Sequence, residues 1–279
     1  MKLLSEANIT AEATARLSDT PNARLKEIVI ALTRHLHDFA REVRLTPSEW
    51  TTGIEFLTRT GQMSDDKRQE FILLSDTLGL SALVDMIEHA NSDHGGTASS
   101  LLGPFYRPGM PELKNGESIA HDLTQGEPLS VKGRVINGNG KPLANALIDV
   151  WQAAANGLYD LQDPNQPEIN MRGRFRSEPD GRFAFRTTKP MSYSVPTDGP
   201  VGKLLRAEGR HSFRPAHIHF LISAEGYETL TTALYIAGDR YIDSDAVFGA
   251  KDELTVDYIR GGAEGVDALE FTFALSSRE

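Results

Sequence analysis

The residues best able to do chemistry lie in one short stretch, Arg214-Pro215-Ala216-His217-Ile218-His219-Phe220-Leu221-Ile222. Its pattern reads as a strand, and side chains two apart on a strand point to the same face. His217 and His219 then aim both imidazoles at one point, with Ile218 and Phe220 buried behind them. Neutral imidazole is a common metal ligand, so the pair is half of a metal site. It is equally compatible with two histidines packed on a strand, and the choice depends on what else reaches that point.

The 279 residues include no cysteine, which removes thiolate ligands, a disulfide framework and a cysteine nucleophile. Further ligands must be carboxylates or tyrosines. Two tyrosines sit in loops, where a core tyrosine is out of place. Tyr159 follows Asn156-Gly157-Leu158, and Tyr193 lies in Pro190-Met191-Ser192-Tyr193-Ser194-Val195-Pro196-Thr197-Asp198-Gly199-Pro200, a loop made rigid by Pro and Gly. Taken alone, each also reads as a packed aromatic. His35 and His37 are two apart as well, but on a helix that spacing separates them by about 200°, which makes them surface residues. His89 and His94 read as residues of a helix end and a Gly-rich turn.

The elements that must position these groups fall into two regions. Up to about residue 100 the pattern is helical. Thr20-Pro21 reads as a cap with Pro at the first helical position, followed by a stripe of Leu25, Ile28, Leu32, Leu36, Phe39 and Val43. Thr46-Pro47-Ser48-Glu49 is a capping box, Ser64 caps a third helix and Ser81 a short fourth. Residues 92–128 are an irregular linker with the apolar insert Leu101-Leu102-Gly103-Pro104-Phe105-Tyr106. From Leu129 the pattern turns to short alternating strands, at least six, with Asn137-Gly138-Asn139-Gly140 as a hairpin signal. The expected fold is α+β: an N-terminal helical domain over 1–100, then an antiparallel β-sandwich over 101–279. A net charge of −10 argues against a nucleic-acid binder. No run approaches a membrane span, the N-terminus lacks a secretory pattern, and a cytoplasmic location is expected.

Val131-Lys132-Gly133-Arg134-Val135, Gly140, Leu143, Ile148-Asp149-Val150 and Gly157-Leu158-Tyr159 resemble the signature of the intradiol ring-cleavage dioxygenases. The Tyr193 to Gly202 segment, Gly209-Arg210-His211 and Arg214 to Phe220 resemble the remainder of that family's site, in order. The helical first third and Asp243-Ser244-Asp245-Ala246-Val247-Phe248 also look like this family, so the resemblance spans nearly the whole chain.

That resemblance implies a non-haem Fe(III) held by Tyr159, Tyr193, His217 and His219. It also implies cleavage of a diphenol by O2 between its two hydroxylated carbons, giving a muconate-type diacid. Tyrosinate is a hard anionic ligand that favours ferric iron, and a bound trivalent cation would hold it deprotonated. Tyr193 is expected to leave the metal and accept a substrate proton. Arg214, three residues before His217, would stabilise negative charge developing on the ring.

Within the family, Leu78 to Asp85, Leu102-Gly103-Pro104-Phe105 and Asp243 to Gly249 look most like the hydroxyquinol-cleaving branch. The catechol and chlorocatechol branches are the alternatives. Ala233 stands where several catechol-type members carry Gln. Leu80, Leu83, Gly103, Pro104, Phe105, Val195 and Val247 are the expected pocket walls, with Asp85 as partner of a third ring hydroxyl. The resemblance further implies a homodimer through the N-terminal helices, and a phospholipid between them in some members. Two rival readings remain at this point: a non-catalytic β-sandwich binding module, and a hydrolase using a divalent ion.

Overall fold

A computed structural model describes residues 3–65, 68–89, 95–262 and 265–278. The linker residues Ser92, Asp93 and His94 therefore lie outside the described residues. The chain divides into two compact units, residues 1–59 and 60–279.

The first unit contains helices α1 (Ile9–Ala15) and α2 (Ala23–Glu42) and most of α3 (Pro47–Gln62). The start of α2 differs from expectation. Asn22, not Thr20, is the cap, its side chain accepting the Leu25 N–H at 2.9 Å. Asn competes well for this position because its short amide reaches the free N–H groups of the first turn. The capping box of α3 is as expected: Thr46 N–H donates to Glu49 at 2.8 Å, and Glu49 N–H to the Thr46 hydroxyl at 3.3 Å. None of the residues of α2 is buried, and Leu25, Ile28, Leu32, Leu36, Phe39 and Val43 are each about half exposed.

The second unit opens with α4 (Glu70–Thr77) and α5 (Leu80–His89). Gln69, not Ser64, precedes α4; the Ser64 hydroxyl instead donates back to Thr60 O at the end of α3. The strands follow: β1 (Pro128–Asn137), β2 (Leu147–Trp151), β3 (Arg172–Arg176), β4 (Arg182–Thr188) and the two-residue β5 (Tyr193–Ser194). After α6 (Pro200–Ala207) come β6 (Phe213–Arg214), β7 (His217–Ser223), β8 (Leu230–Ile236), β9 (Thr255–Val256) and β10 (Asp267–Leu275).

One sheet has the order β10-β1-β4, a second β3-β2-β7-β8-β9, and β5 pairs with β6. The core includes Val131, Val135, Phe183, Phe185 and Phe273 of the first sheet and Ile148, Ile218, Phe220 and Ile222 of the second. Alternation along β7 explains the arrangement. Ile218, Phe220 and Ile222 are fully buried in this core, which turns His217 and His219 to the opposite face.

The sheets are mixed rather than purely antiparallel. β10 runs parallel to β1, with Val131 opposite Leu269, and β9 runs parallel to β8. These partners meet by long returns of the chain rather than by hairpins, so local turn signals do not report their direction. The turn at Asn137–Gly140 is present, its Asn137 Oδ1 accepting the N–H groups of Asn139 and Lys141 at 3.0 Å. It closes a short hairpin, with Ile136 opposite Pro142 and the Asn137 N–H donating to Lys141 O at 2.9 Å, before the chain passes to β2 of the other sheet.

Candidate metal centre

Four side chains from three parts of the second unit converge. β7 supplies His217 and His219, whose Nε2 atoms stand 3.0 Å apart. The loop after β2 supplies Tyr159 and β5 supplies Tyr193, their rings edge to face at 5.4 Å. The Tyr193 and His217 rings lie 5.6 Å apart. All four residues are buried.

Each group is held from behind. His217 Nδ1 lies 2.7 Å from Pro215 O, so that nitrogen carries the proton and Nε2 keeps its lone pair facing inward. Trp151 stacks on His219 at 4.8 Å. Phe105 stacks on Tyr159 at 4.3 Å. Next to Tyr159 in sequence, Asp160 accepts from Arg172 Nε of β3 at 2.8 Å, and Arg172 Nη1 donates to Phe105 O at 2.6 Å. One buried ion pair thus ties the residue after Tyr159 to the backbone of the ring stacked on it. A Cβ added to Gly103, whose φ is +71°, would lie 3.7 Å from His219 Nε2, so the backbone of the 101–106 loop closes over the imidazole.

Arg214 is the cation of the site. Its Nη1 lies 3.2 Å from His217 Nε2 and 3.5 Å from the Tyr193 hydroxyl, and its Nη2 donates to the Tyr235 hydroxyl at 3.0 Å. Burial opposes its charge, but Asp245, Tyr193 and Tyr235 outweigh that, and the guanidinium stays ionised. Burial likewise works against the Asp245 carboxylate, and Arg214 reverses it. Gly249 is required here: a Cβ on it would stand 2.7 Å from both Arg214 Nη2 and the Tyr235 hydroxyl.

Electrostatics suit a bound cation. Burial, reinforced by Arg214, pushes His217 down to about 3, and burial, reinforced by His217 and then Arg214, lowers His219 strongly, so both imidazoles are neutral at physiological pH. Burial, then the neighbouring Tyr193, pushes Tyr159 well up, so its anionic form needs a cation beside it. Two nitrogens bonded at about 2.0–2.1 Å and near a right angle to one ion would be about 3 Å apart, which the histidines match. His219 Nδ1 is buried without a hydrogen-bond partner. Among the described residues no group of three or more His, Cys, Asp or Glu converges, so oxygen donors at this point must be the tyrosines. The residues present fit a hard metal ion.

The expected pocket walls divide. Gly103 and Phe105 touch the cluster, with Pro104 exposed in the turn between them. Val195 and Val247 pack with Leu73 of α4 and Val201 and Leu205 of α6. Leu80 and Leu83 are more than half exposed on α5. Asp85 turns elsewhere: Lys251 Nζ donates to its carboxylate at 3.0 Å, and His89 is its other neighbour. The acid beside the site is Asp76 on α4, 6% exposed and near enough to Arg214 and Asp245 to interact with both. Burial raises its pKa, a Ser81 hydrogen bond working against the shift. Glu70, at the start of the same helix and also buried, pairs with Arg68 and accepts the Val201 N–H at 3.1 Å, tying α4 to the segment after Tyr193. The sequence signal for Asp76 was its spacing of three from Leu73, which puts both on one helix face.

A buried site of two histidines and two tyrosines suited to a hard metal ion is what this fold and cluster define, and the comparisons give the family. Residues 101–278 match the dioxygenase family and residues 22–96 the catechol dioxygenase N terminus. The chain is 50% identical to a 6-chlorohydroxyquinol 1,2-dioxygenase of Cupriavidus pinatubonensis over 99% of both chains. It is 48% identical to a hydroxyquinol 1,2-dioxygenase of a Rhizobium species, over 88% of this chain and 83% of the relative. The solved structure of hydroxyquinol 1,2-dioxygenase from Pseudomonas putida DLL-E4 superposes with a TM-score of 0.92 at 48% identity, covering 98% of this chain and 99% of the other. The chain belongs to the intradiol ring-cleaving dioxygenases, a family whose membership implies non-haem iron. No described helix is long and apolar enough to cross a membrane.

Proposed function

We propose that this chain is a ferric intradiol dioxygenase that opens hydroxyquinol (benzene-1,2,4-triol) between its adjacent hydroxylated carbons. Both atoms of O2 enter the product, 3-hydroxy-cis,cis-muconate, which tautomerises to maleylacetate. The observation that carries this reading is the convergence of Tyr159, Tyr193, His217 and His219 beside the buried guanidinium of Arg214. These four would hold the iron, the tyrosines supplying the hard anionic oxygens that favour the ferric state. When bound, iron supplies Lewis-acid activation of two adjacent ring oxygens and of the ring carbon that dioxygen attacks.

The protein's own groups do the rest. Tyr193, as phenolate, would accept a proton from a ring hydroxyl, and Arg214 Nη1, 3.5 Å from its oxygen, is placed to hold that oxygen. The same guanidinium stabilises negative charge spreading into the ring, and being fixed beforehand it spends little on reorganisation. Phe105, Val195 and Val247 wall the ring with apolar surface and exclude water. Asp76 accepts or donates a hydrogen bond to the third hydroxyl, a contact that a catechol cannot make. The relatives named for hydroxyquinol substrates support this choice. The one named for 6-chlorohydroxyquinol favours a second reading in which a ring chlorine is also accepted.

The same proposal assigns residues 1–100 to a dimerisation region and 101–279 to catalysis, in a cytoplasmic homodimer. The half-exposed stripe of α2 would face a second copy, where a phospholipid acyl chain could also lie. Oxygen uptake by iron-loaded protein with hydroxyquinol, 6-chlorohydroxyquinol, catechol and 4-chlorocatechol, side by side, tests the substrate reading. Preference for the triols supports it; faster uptake with catechol would move the chain to the catechol branch.

A further inference from the structure

Two of the proposed ligands, Tyr193 and His217, lie on segments joined by the two-residue ladder β5–β6, in which Tyr193 pairs with Arg214 and Ser194 with Phe213, and beyond it by the Val195 N–H, which donates to Ser212 O at 2.9 Å. That ladder cannot continue through Pro215, which has no N–H to donate. At the next position the side chain of Asp239 takes over. Its Oδ2 accepts the Ala216 N–H at 3.0 Å and the Ser192 hydroxyl at 2.6 Å. Ser192 directly precedes Tyr193, and Ala216 directly precedes His217. A single carboxylate oxygen therefore bridges the backbone leading into both side chains.

The bridge is itself anchored. Asp239 Oδ1 accepts the Tyr241 N–H at 2.9 Å, and its own N–H donates to Ile236 O at 3.2 Å. Ile236 ends β8, the strand that places Tyr235 opposite His217. Asp239 thus ties Ser192 and Ala216 to the strand beside His217.

We infer that Asp239 is a positioning residue for the proposed iron site, setting the distance between Tyr193 and His217 through Ser192 and Ala216. It touches neither substrate nor the proposed ligands' donor atoms. Its action is to restrain the Tyr193 backbone against the segment that leads into His217. Partners that orient metal ligands in this way typically matter by about 10- to 100-fold in affinity or activity.

The inference rests on the proposed function, and the test separates the two. Ser192→Ala, Ser192→Thr and Asp239→Asn are compared with the parent protein for four quantities: the visible tyrosinate-to-iron absorption, iron retention against a chelator, kcat and KM, and the melting point of metal-free protein. Ser192→Ala and Asp239→Asn are expected to shift the visible band and to lower iron retention or kcat by about tenfold. KM should change little. The metal-free melting point should stay within about 3 °C, the effect of a single hydrogen bond. Ser192→Thr, which keeps the hydroxyl, should behave as the parent. Variants that match the parent in band, retention and kcat would overturn the inference alone, as would losses that merely follow the melting point and are not rescued by Thr. A parent that binds no iron would overturn the proposed function and this inference with it.

Discussion

Arg214 and Asp245 form a buried, two-pronged ion pair, with Nε donating to Oδ1 and Nη2 to Oδ2, each at 3.1 Å. Asp245 also accepts the N–H groups of Val247, Gly249 and Ala250, so the segment that carries the wall residue Val247 and the cation of the site share one anchor. Planar bidentate pairing fixes direction as well as distance, and this leaves Nη1 pointing at Tyr193 and His217.

Removing half of that pair should separate folding from catalysis. Arg214→Gln leaves a buried carboxylate without its cation and is expected to cost on the order of 3 kcal/mol in stability. It should also lower kcat by about 100-fold or more. Adding Asp245→Asn should restore much of the melting point and none of the kcat. Thermal denaturation with steady-state kinetics on both variants decides the matter; a double variant that regained activity would reduce Arg214 to a structural residue.

Asp76 offers a pH-dependent signature. Burial raises its folded-state pKa, so the folded chain holds this proton more tightly than the unfolded chain. Stability from this group is complete at acid pH and is lost as pH rises through the folded-state value. Asp76→Asn should therefore melt higher than the parent at pH 7, with the advantage vanishing below the ordinary carboxylate value of about 3.9. Asp76→Ala should lower kcat/KM for hydroxyquinol relative to catechol by about tenfold or more. Equal losses with both substrates would deny it a part in selectivity.

Metal removal should act on stability as well as on colour. A chelator is expected to abolish the visible band and activity together and to lower the melting point, since an ion that binds only the folded state adds about 2.7 kcal/mol at a hundredfold excess over its Kd. Iron should restore all three. Tyr159→Phe and Tyr193→Phe should each weaken the band; an unchanged band in either variant would remove that tyrosine from the ligand set.

The α2 stripe can be tested apart from the chemistry. Leu32→Glu with Leu36→Glu should yield monomers in sedimentation, while the parent is expected to sediment as a dimer. A monomeric parent would end the dimer proposal.

Much of this site is legible in the sequence because its grammar is local. The His-x-His spacing on an apolar strand dictates a shared face, and β7 obeys it. Tyr159 and Tyr193 carry no such local signal; they entered through the family resemblance, and the fold brings them together through β3 and β6, distant in sequence. Nothing local in the sequence distinguishes Asp76 from Asp85, since both read as helix acids. What separates them is tertiary: Lys251 lies 166 residues from Asp85, and Arg214 is likewise distant along the chain from Asp76. The parallel pairing of β1 with β10 escaped for the same reason, since no turn connects those strands.

The most direct test is the product of hydroxyquinol turnover by the iron-loaded protein under 18O2. The expected product is a six-carbon diacid at the 3-hydroxymuconate/maleylacetate level, with one labelled oxygen in each new carboxyl group. An aldehyde from cleavage outside the adjacent hydroxyls, or unlabelled product, would contradict intradiol cleavage by this chain.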